Sequence, residues 1–488
     1  MILSATQRRT LLSEAFSLVA SAEVEGGLLA SPAKGSRFNA TFSRDEMYTT
    51  KSLRGAVGLS YKSTLVGSGA ILTEEQIETT RRLSEKVLRG TVLKQGQKVD
   101  TRAAKIDPLH PDLGERSLSW EEPGKIYHED WDEVTGWLRE QCLRYPGERP
   151  TRLEGGSLKM INWYARDVTP MFIWSVLDHA DLLRLLGYQE QAQQWLEEMA
   201  VTVIKAYSWL RNYGDRDDDG LVESGGHYWK DGADRLLPTG GELRIPKPPV
   251  SFLVVQGWAY AAMTALAKEA SALGLRSQEI EAYAGRVKQA TKVFAIPDIT
   301  YYGFAIDGAG ELLTGATSDP AHILWTGVLD QPEWVRNTVR VAMTDWGLPT
   351  AFHHPQDGKN LWVSMNSYQK GMHWPMDIGE AAFGLLRHGW IDEALALSRR
   401  SIEAVSVFRE RDKRRGAETR GFRELYGVLS KHLAAGRRLK RDMLYEYHPT
   451  EHRQDQTWTA AAVVEGLVLI KLAKRVNREH LSGFLAVS

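Results

Sequence analysis

Apolar residues recur at steps of three and four along most of the chain. Over 189–210, Trp195, Met199, Val203, Tyr207 and Leu210 fall on one stripe, the period of a helix with one buried face. At the start of 72–88, Thr73-Glu74-Glu75-Gln76 sets a cap residue three places before a Gln, a capping box. The same pattern predicts helices over 1–18, 44–59, 131–142, 170–186, 251–273, 277–293, 332–344, 376–388, 391–405 and 457–474. Proline, which breaks helix interiors, is absent between Pro32 and Pro108, Pro170 and Pro238, Pro249 and Pro297, and Pro375 and Pro449. Extended pieces are expected only at 300–306 and 350–354, with no alternation of strand and helix. The expected class is therefore all-α. Helices joined pairwise fit a solenoid or a closed ring of six hairpins, and the lack of a fixed-period repeat weakens the solenoid. The expected fold is an (α/α)6 toroid with a few short β pieces in the mouth loops. Nothing marks a linker, so 1–488 is read as one domain, with a basic insertion-like segment near 409–441.

Charge and composition narrow the function. Sixty-one Lys and Arg balance 62 Asp and Glu, without the basic excess of a general nucleic-acid binder. No apolar run of about 18 residues is present, so no membrane span is expected. The first 18 residues read as an amphipathic helix containing Arg8 and Arg9. The one cysteine, Cys142, excludes an internal disulfide and a cysteine metal cluster. A cytoplasmic location is the expectation. Sixteen tryptophans suit either a large helical core or the faces of sugar rings.

Polar–aromatic clusters recur where loops enter helices. They include Ser43-Arg44-Asp45, Tyr127-His128-Glu129, Asn162 to Pro170 with Asp167, and Val363 to Pro375 with Tyr368, Lys370, His373 and Trp374. In a toroid such loops converge on one mouth. A single Asp of this kind is usually a helix cap; four similar clusters point to a sugar site. The loop 214–234 is the densest. Asp215, Asp217 and Asp219 with Gly220 resemble half of a calcium loop, but its twelfth position is Gly226 rather than Glu, so calcium is not expected. Asp215-Arg216-Asp217-Asp218 resembles the acidic motif of terpene cyclases. Trp229-Lys230-Asp231, followed by Asp234, offers an acid beside an apolar face that would raise its pKa, as a general acid for a glycosidic oxygen requires.

Seven landmarks appear in one order: Ser43-Arg-Asp45, Asp167 to Trp174, Asp217 to Glu223, Trp229-Lys-Asp231, Val255 to Ala262, Asp319 to Trp325 with His322, and His373-Trp-Pro-Met-Asp377. Over about residues 40–474 this order resembles the amylo-α-1,6-glucosidase domains of glycogen-debranching type, which are six-hairpin toroids. The resemblance implies Asp231 as general acid and Glu424, in Arg423-Glu-Leu-Tyr426, as base. Arg423 stands where that family has Pro. The ending Tyr445-Glu-Tyr-His-Pro449 with Gln456-Thr-Trp-Thr-Ala-Ala461 resembles glycoside hydrolase family 63 and would make Glu446 the base, one residue short of the full pattern. Glu424 is the base expected here, with Glu446 as the alternative. Arg420 and Arg423 are expected to lower its pKa.

The implied chemistry is inverting hydrolysis of a short α-glucan or small α-glucoside, without a cofactor. Arg44, Asp45, His128, Glu129, Asp167, Trp229, Lys230, Asp234, His322, Trp325, Tyr368, Lys370, His373, Trp374 and Asp377 would surround the sugar. The alternatives are an anionic glycoside such as a glycosylglycerate, met by the basic 409–441 segment, a terpene-cyclase-like toroid, or a non-catalytic carbohydrate-binding scaffold. The basic segment could equally be a solvated face or an oligomer contact.

Overall fold

The computed structural model describes residues 3–33, 39–99, 121–131, 139, 151–154, 157–163, 165–223, 237–239, 242–244, 247, 249–351, 371–417, 419–429, 442–445 and 455–476. Among them are twelve α-helices: α1 Ala5–Ser21, α2 Ser43–Leu65, α3 Glu74–Val92, α4 Val168–Leu185, α5 Gln189–Trp209, α6 Leu253–Glu269, α7 Ser277–Ala290, α8 Asp319–His322, α9 Pro332–Ala342, α10 Pro375–Arg387, α11 Ile391–Arg415 and α12 Thr457–Arg475. The even-numbered helices form an inner ring, α2–α4–α6–α8–α10–α12, which closes where α12 packs along α2. The odd-numbered helices wrap it: α3 lies on α2, α5 on α4, α7 on α6, α9 on α8, α11 on α10 and α1 on α12.

Burial follows from this position. Outer helix α7 buries Ile280, Tyr283, Ala284 and Val287, one helical stripe. Inner helix α2 is buried nearly all round, including Arg44, Asp45, Glu46, Lys51 and Arg54. Close approach of the inner ring needs small residues. A Cβ on Gly257 of α6 would lie 2.6 Å from Ile323.

The β structure is local. Strand pieces lie in the connections from an outer helix to the next inner one: Thr41–Phe42, Glu129–Trp131, Ser157–Asn162, Ser251–Phe252, Ala305–Ile306, Gly427–Leu429 and Met443–Tyr445. The reverse connections are mostly short, such as 186–188 and 388–390. One end of the toroid thus carries the long, β-rich loops and the N-termini of all six inner helices. It is the mouth. The 300–306 expectation holds as the strands Tyr301–Tyr302 and Ala305–Ile306, and in 350–354 Ala351 bridges to Thr317.

Two expectations need correction. Trp131 ends a strand paired to Met160 instead of opening a helix; Arg139 is helical as expected, and the rest of 131–142 lies outside the described residues. Helix α8, with no counterpart in the periodicity, completes the inner ring instead. Helix α11 also runs on to Arg415, so Arg409, Arg411, Lys413, Arg414 and Arg415 belong to its last turns. Cations there oppose the negative end of the helix dipole.

Buried charge gives the core a pH dependence. Burial pushes Glu465 from the usual 4.5 up to about 8, with Lys51 opposing the shift and Glu380 adding to it. Between those values the folded chain holds a proton that the unfolded chain releases, so stability is full below the lower value and falls as pH rises through the upper one. Glu465→Gln is expected to flatten the fall in Tm between pH 5 and 9. A parental slope in thermal melts would assign that fall to other groups, Glu46 first, which burial also raises to about 8.

Candidate active site

The first turns of the inner helices supply most of the described candidate residues. Arg44 of α2 donates through Nε and Nη2 to the two oxygens of Asp167, at 2.8 and 2.9 Å. This bidentate pair is buried and ties α2 to the start of α4. Asp167 occupies the N-cap position of α4 but caps no backbone amide. The two donors that could have grasped a pair of sugar hydroxyls are thus held by Asp167. Asp45, the next residue, is also buried.

One turn below Arg44, the Tyr48 hydroxyl lies 2.7 Å from Nε2 of His322 on α8. His322 Nδ1 lies 2.8 Å from Asp377 Oδ1 on α10. Trp258 of α6 donates from Nε1 to the Tyr48 oxygen at 3.3 Å. Beneath this layer Trp258 meets Trp174 and Trp325 edge to face and Trp174 meets Trp325 at a tilt, with centroids 4.9–5.6 Å apart. Trp325 therefore belongs to the floor, with the ammonium of Lys51 over its ring, and not to a mouth loop. Trp374 packs edge-on against Trp458 at the start of α12.

His373 stands just before α10. Its Nε2 is 2.9 Å from Thr344 Oγ1, and its ring stacks on Tyr426. Burial pushes its pKa down to about 3, against the opposing charges of Asp442 and Asp377. It is a neutral ring at any working pH. Glu129 opens an inner strand of the four-stranded mouth sheet, paired with Phe42 on one side and Asn162 on the other, and the carbonyl of His128 before it accepts from Ser43 N. The Glu129 carboxylate accepts from Trp131 Nε1 at 3.2 Å and faces His128 Nδ1 at 3.3 Å.

The segment with Glu424 is fastened between the starts of α10 and α12. Tyr426 bridges His373, and Arg423 bridges Asp455. The Asp455 carboxylate accepts from Arg420 N and Phe422 N at 2.7 and 2.8 Å. Gly421 adopts a φ of +83° against the backbone of Arg409, where a Cβ would lie 2.5 Å from nitrogen. Glu424 itself is 2% exposed. The flanking cations have acceptors on other elements. Arg423 pairs with Asp412 at 2.5 Å, and Arg420 reaches Ser17 of α1. Arg409 is tied to Glu14 of α1. Gly427–Leu429 then pairs with Met443–Tyr445, with Gly427 opposite Tyr445.

Seven proposed site residues, Trp229, Lys230, Asp231, Asp234, Tyr368, Lys370 and Glu446, lie outside the described residues. The chain entering 224–236 is described. Val222 exchanges two hydrogen bonds with the Gln256 side chain, in the first turn of α6, at 2.7 and 2.8 Å. The acidic turn before it brings carboxylate oxygens of Asp215, Asp217 and Asp219 within 4.8 Å of one another. All three accept from backbone amides of the same turn. Burial, with the neighbouring carboxylates adding, raises Asp215 to about 6. Asp218 is exposed and pairs with Arg286 on outer helix α7, away from the toroid axis where a cyclase acid would stand.

Sequence reasoning assigned no role to Tyr48, Gln256, Trp258 or Asp455. Tyr48 was findable, since it follows Arg44 by four residues and shares its helix face. Asp455 was not, because its carboxylate serves backbone amides far from it in sequence.

No family model matches the chain, and no curated protein matches it. Solved structures do. A GH63 mannosylglycerate hydrolase from Thermus thermophilus, in complex with Tris and D-glycerate, superposes with a TM-score of 0.56 at 14% identity, covering 93% of this chain and 99% of that one. The same hydrolase with glucose gives 0.55 at 15%, with the same coverage. A further structure, described as a wild-type glycosidase, gives 0.53 at 13% identity over 98% of this chain and 100% of that one. The chain has the (α/α)6 toroid fold of GH63 glycosidase structures. At this identity the likeness speaks for the fold, and the chemistry rests on the residues.

Proposed function

We propose that the protein is an inverting glycoside hydrolase acting on a small α-glycoside, with Asp231 as general acid. The observation that carries this reading is the gathering of Arg44–Asp167, His322–Asp377, His373–Trp374 and the 423–426 segment at one mouth, on a fold shared with glycosidases. Asp231 protonates the departing oxygen as the glycosidic C–O bond breaks. A base takes a proton from water, whose oxygen bonds to the anomeric carbon from the opposite face. That arrangement needs carboxyls about 6.5–9.5 Å apart. Aromatic rings and buried polar pairs hold the sugar.

For the base, one observation favours Glu446 over Glu424. The fold likeness is to GH63 structures, the family whose ending the 445–461 segment resembles.

A small glycoside bearing an acid is the favoured aglycone class. Lys413, Arg414, Arg415 and Arg420 are exposed, and α11 ends at the mouth beside the 419–426 segment. The GH63 structures of similar fold are mannosylglycerate hydrolases. The test is a hydrolysis panel of nitrophenyl α-glycosides, α-linked disaccharides, and glucosyl- and mannosylglycerate. Release of free sugar from at least one class is expected, with the acid-bearing glycosides ahead. Turnover of neutral disaccharides alone removes the anionic aglycone, and no turnover of any member removes the hydrolase.

A further inference from the structure

With Asp377 ionised and the His322 ring neutral, the hydrogen bonds around Tyr48 run in one consistent direction. Trp258 Nε1 is a donor only, so the Tyr48 oxygen accepts from it. An ionised carboxylate only accepts, so the Asp377–His322 contact requires the proton on His322 Nδ1. The Nε2 of a neutral ring then carries a lone pair, and the Tyr48 hydroxyl donates to it. The chain runs Trp258→Tyr48→His322→Asp377 through α6, α2, α8 and α10. Each of the four residues is at most 1% exposed.

The relay spends Asp377 Oδ1. Among the described residues no donor reaches Oδ2, although that oxygen is buried. A buried carboxylate oxygen without a donor is costly. Asp377 lies in the first turn of α10, three residues after Trp374 and directly under the mouth. Further along the same face of α2, the Lys51 ammonium lies 2.9 Å from both oxygens of Glu380 and hydrogen-bonds Oε1.

We infer that Tyr48 and His322 are positioning residues that lock the Asp377 carboxylate so that Oδ2 accepts a hydroxyl of the bound sugar. This rests on the glycosidase reading. His322 then touches no substrate: its two nitrogens face Tyr48 and Asp377. Specificity is set at one hydroxyl, because a site built to bond that group rejects the analogue without it.

Two measurements on the full-length protein test this. The first is the tautomer of His322 by long-range 1H–15N NMR, assigned by its loss in His322→Gln. A neutral ring protonated at Nδ1 is expected, with the Nε2 resonance displaced in Tyr48→Phe. A proton on Nε2 overturns the relay whether or not any glycoside is cleaved. The second is kcat/KM for the best substrate and its monodeoxy analogues. The parent is expected to reject one deoxy analogue about 100-fold or more, and Tyr48→Phe and His322→Gln each to reduce that ratio at least about tenfold. His322→Gln serves as the second break should Tyr48→Phe fold poorly, with thermal melts as the check. Equal losses on every analogue, leaving the ratios at parental values, overturn the specificity role. A parent that cleaves nothing defeats the hydrolase reading, and the tautomer still judges the relay.

Discussion

Asp231→Asn is expected to lower kcat on an alkyl glycoside by about 10²–10⁴, the usual share of a general acid. KM should stay near the parental value, because Asn keeps the shape of Asp and removes only the proton. The loss should depend on the leaving group. A dinitrophenyl glycoside departs without protonation, so the variant should cleave it at a rate close to the parent. Its pH profile should also lose the descending limb that reports the acid. The chain leading to Asp231 comes from outer helix α5 and is held at Val222 by Gln256, at the start of α6. The loop thus begins at the mouth, on the helix next to Asp167. A parental rate on both leaving groups would move the acid to Asp234 or elsewhere. An equal loss on both would mean that Asp231 shapes the site without donating a proton.

Removal of the base should be as severe but repairable. Glu446→Ala is expected to lose about 10²–10⁴ in kcat and to recover part of it with azide or formate. A small anion entering the gap attacks the anomeric carbon or activates water in place of the carboxylate. Glu424→Ala is expected to lose stability more than chemistry, because the side chain is enclosed in the segment pinned by Asp455. The opposite outcome, a dead and rescued Glu424→Ala beside an active Glu446→Ala, would make the debranching-type ending the better guide.

The helical ring was largely legible from period alone. Stripes such as Ile280, Tyr283, Ala284 and Val287 identify an outer helix because it has one wet face. Inner helices such as 170–186 and 376–388 were marked in addition by long spans without proline. Helix α8 escaped because one turn has no period to detect, and Pro320 inside it reads as a break. The end of α11 escaped because a run of arginines looks like a solvated loop, although Phe408, Arg409 and Asp412 are buried within it. The site was legible as a set of polar–aromatic clusters. Its wiring was not. Arg44 with Asp167, and Tyr48 with His322, are pairs separated by more than a hundred residues. The sequence carries each member on or just before a different inner helix, and only the closed ring makes them partners. Strand pairing at the mouth, such as Phe42 with Glu129, was equally hidden, because strands of two or three residues give no alternation to read.

The stereochemistry of the first-formed sugar tests the account most directly. Proton NMR of the anomeric region, followed from the first minutes of hydrolysis of an α-linked substrate, should show the β-anomer appearing first. The α-anomer should then grow in at the rate of spontaneous mutarotation. Such a course requires water to attack from the face opposite the leaving oxygen, with one acid and one base at separate positions around the ring. First release of the α-anomer would mean a covalent intermediate with carboxyls about 5–5.5 Å apart, and would contradict the mechanism proposed for this toroid.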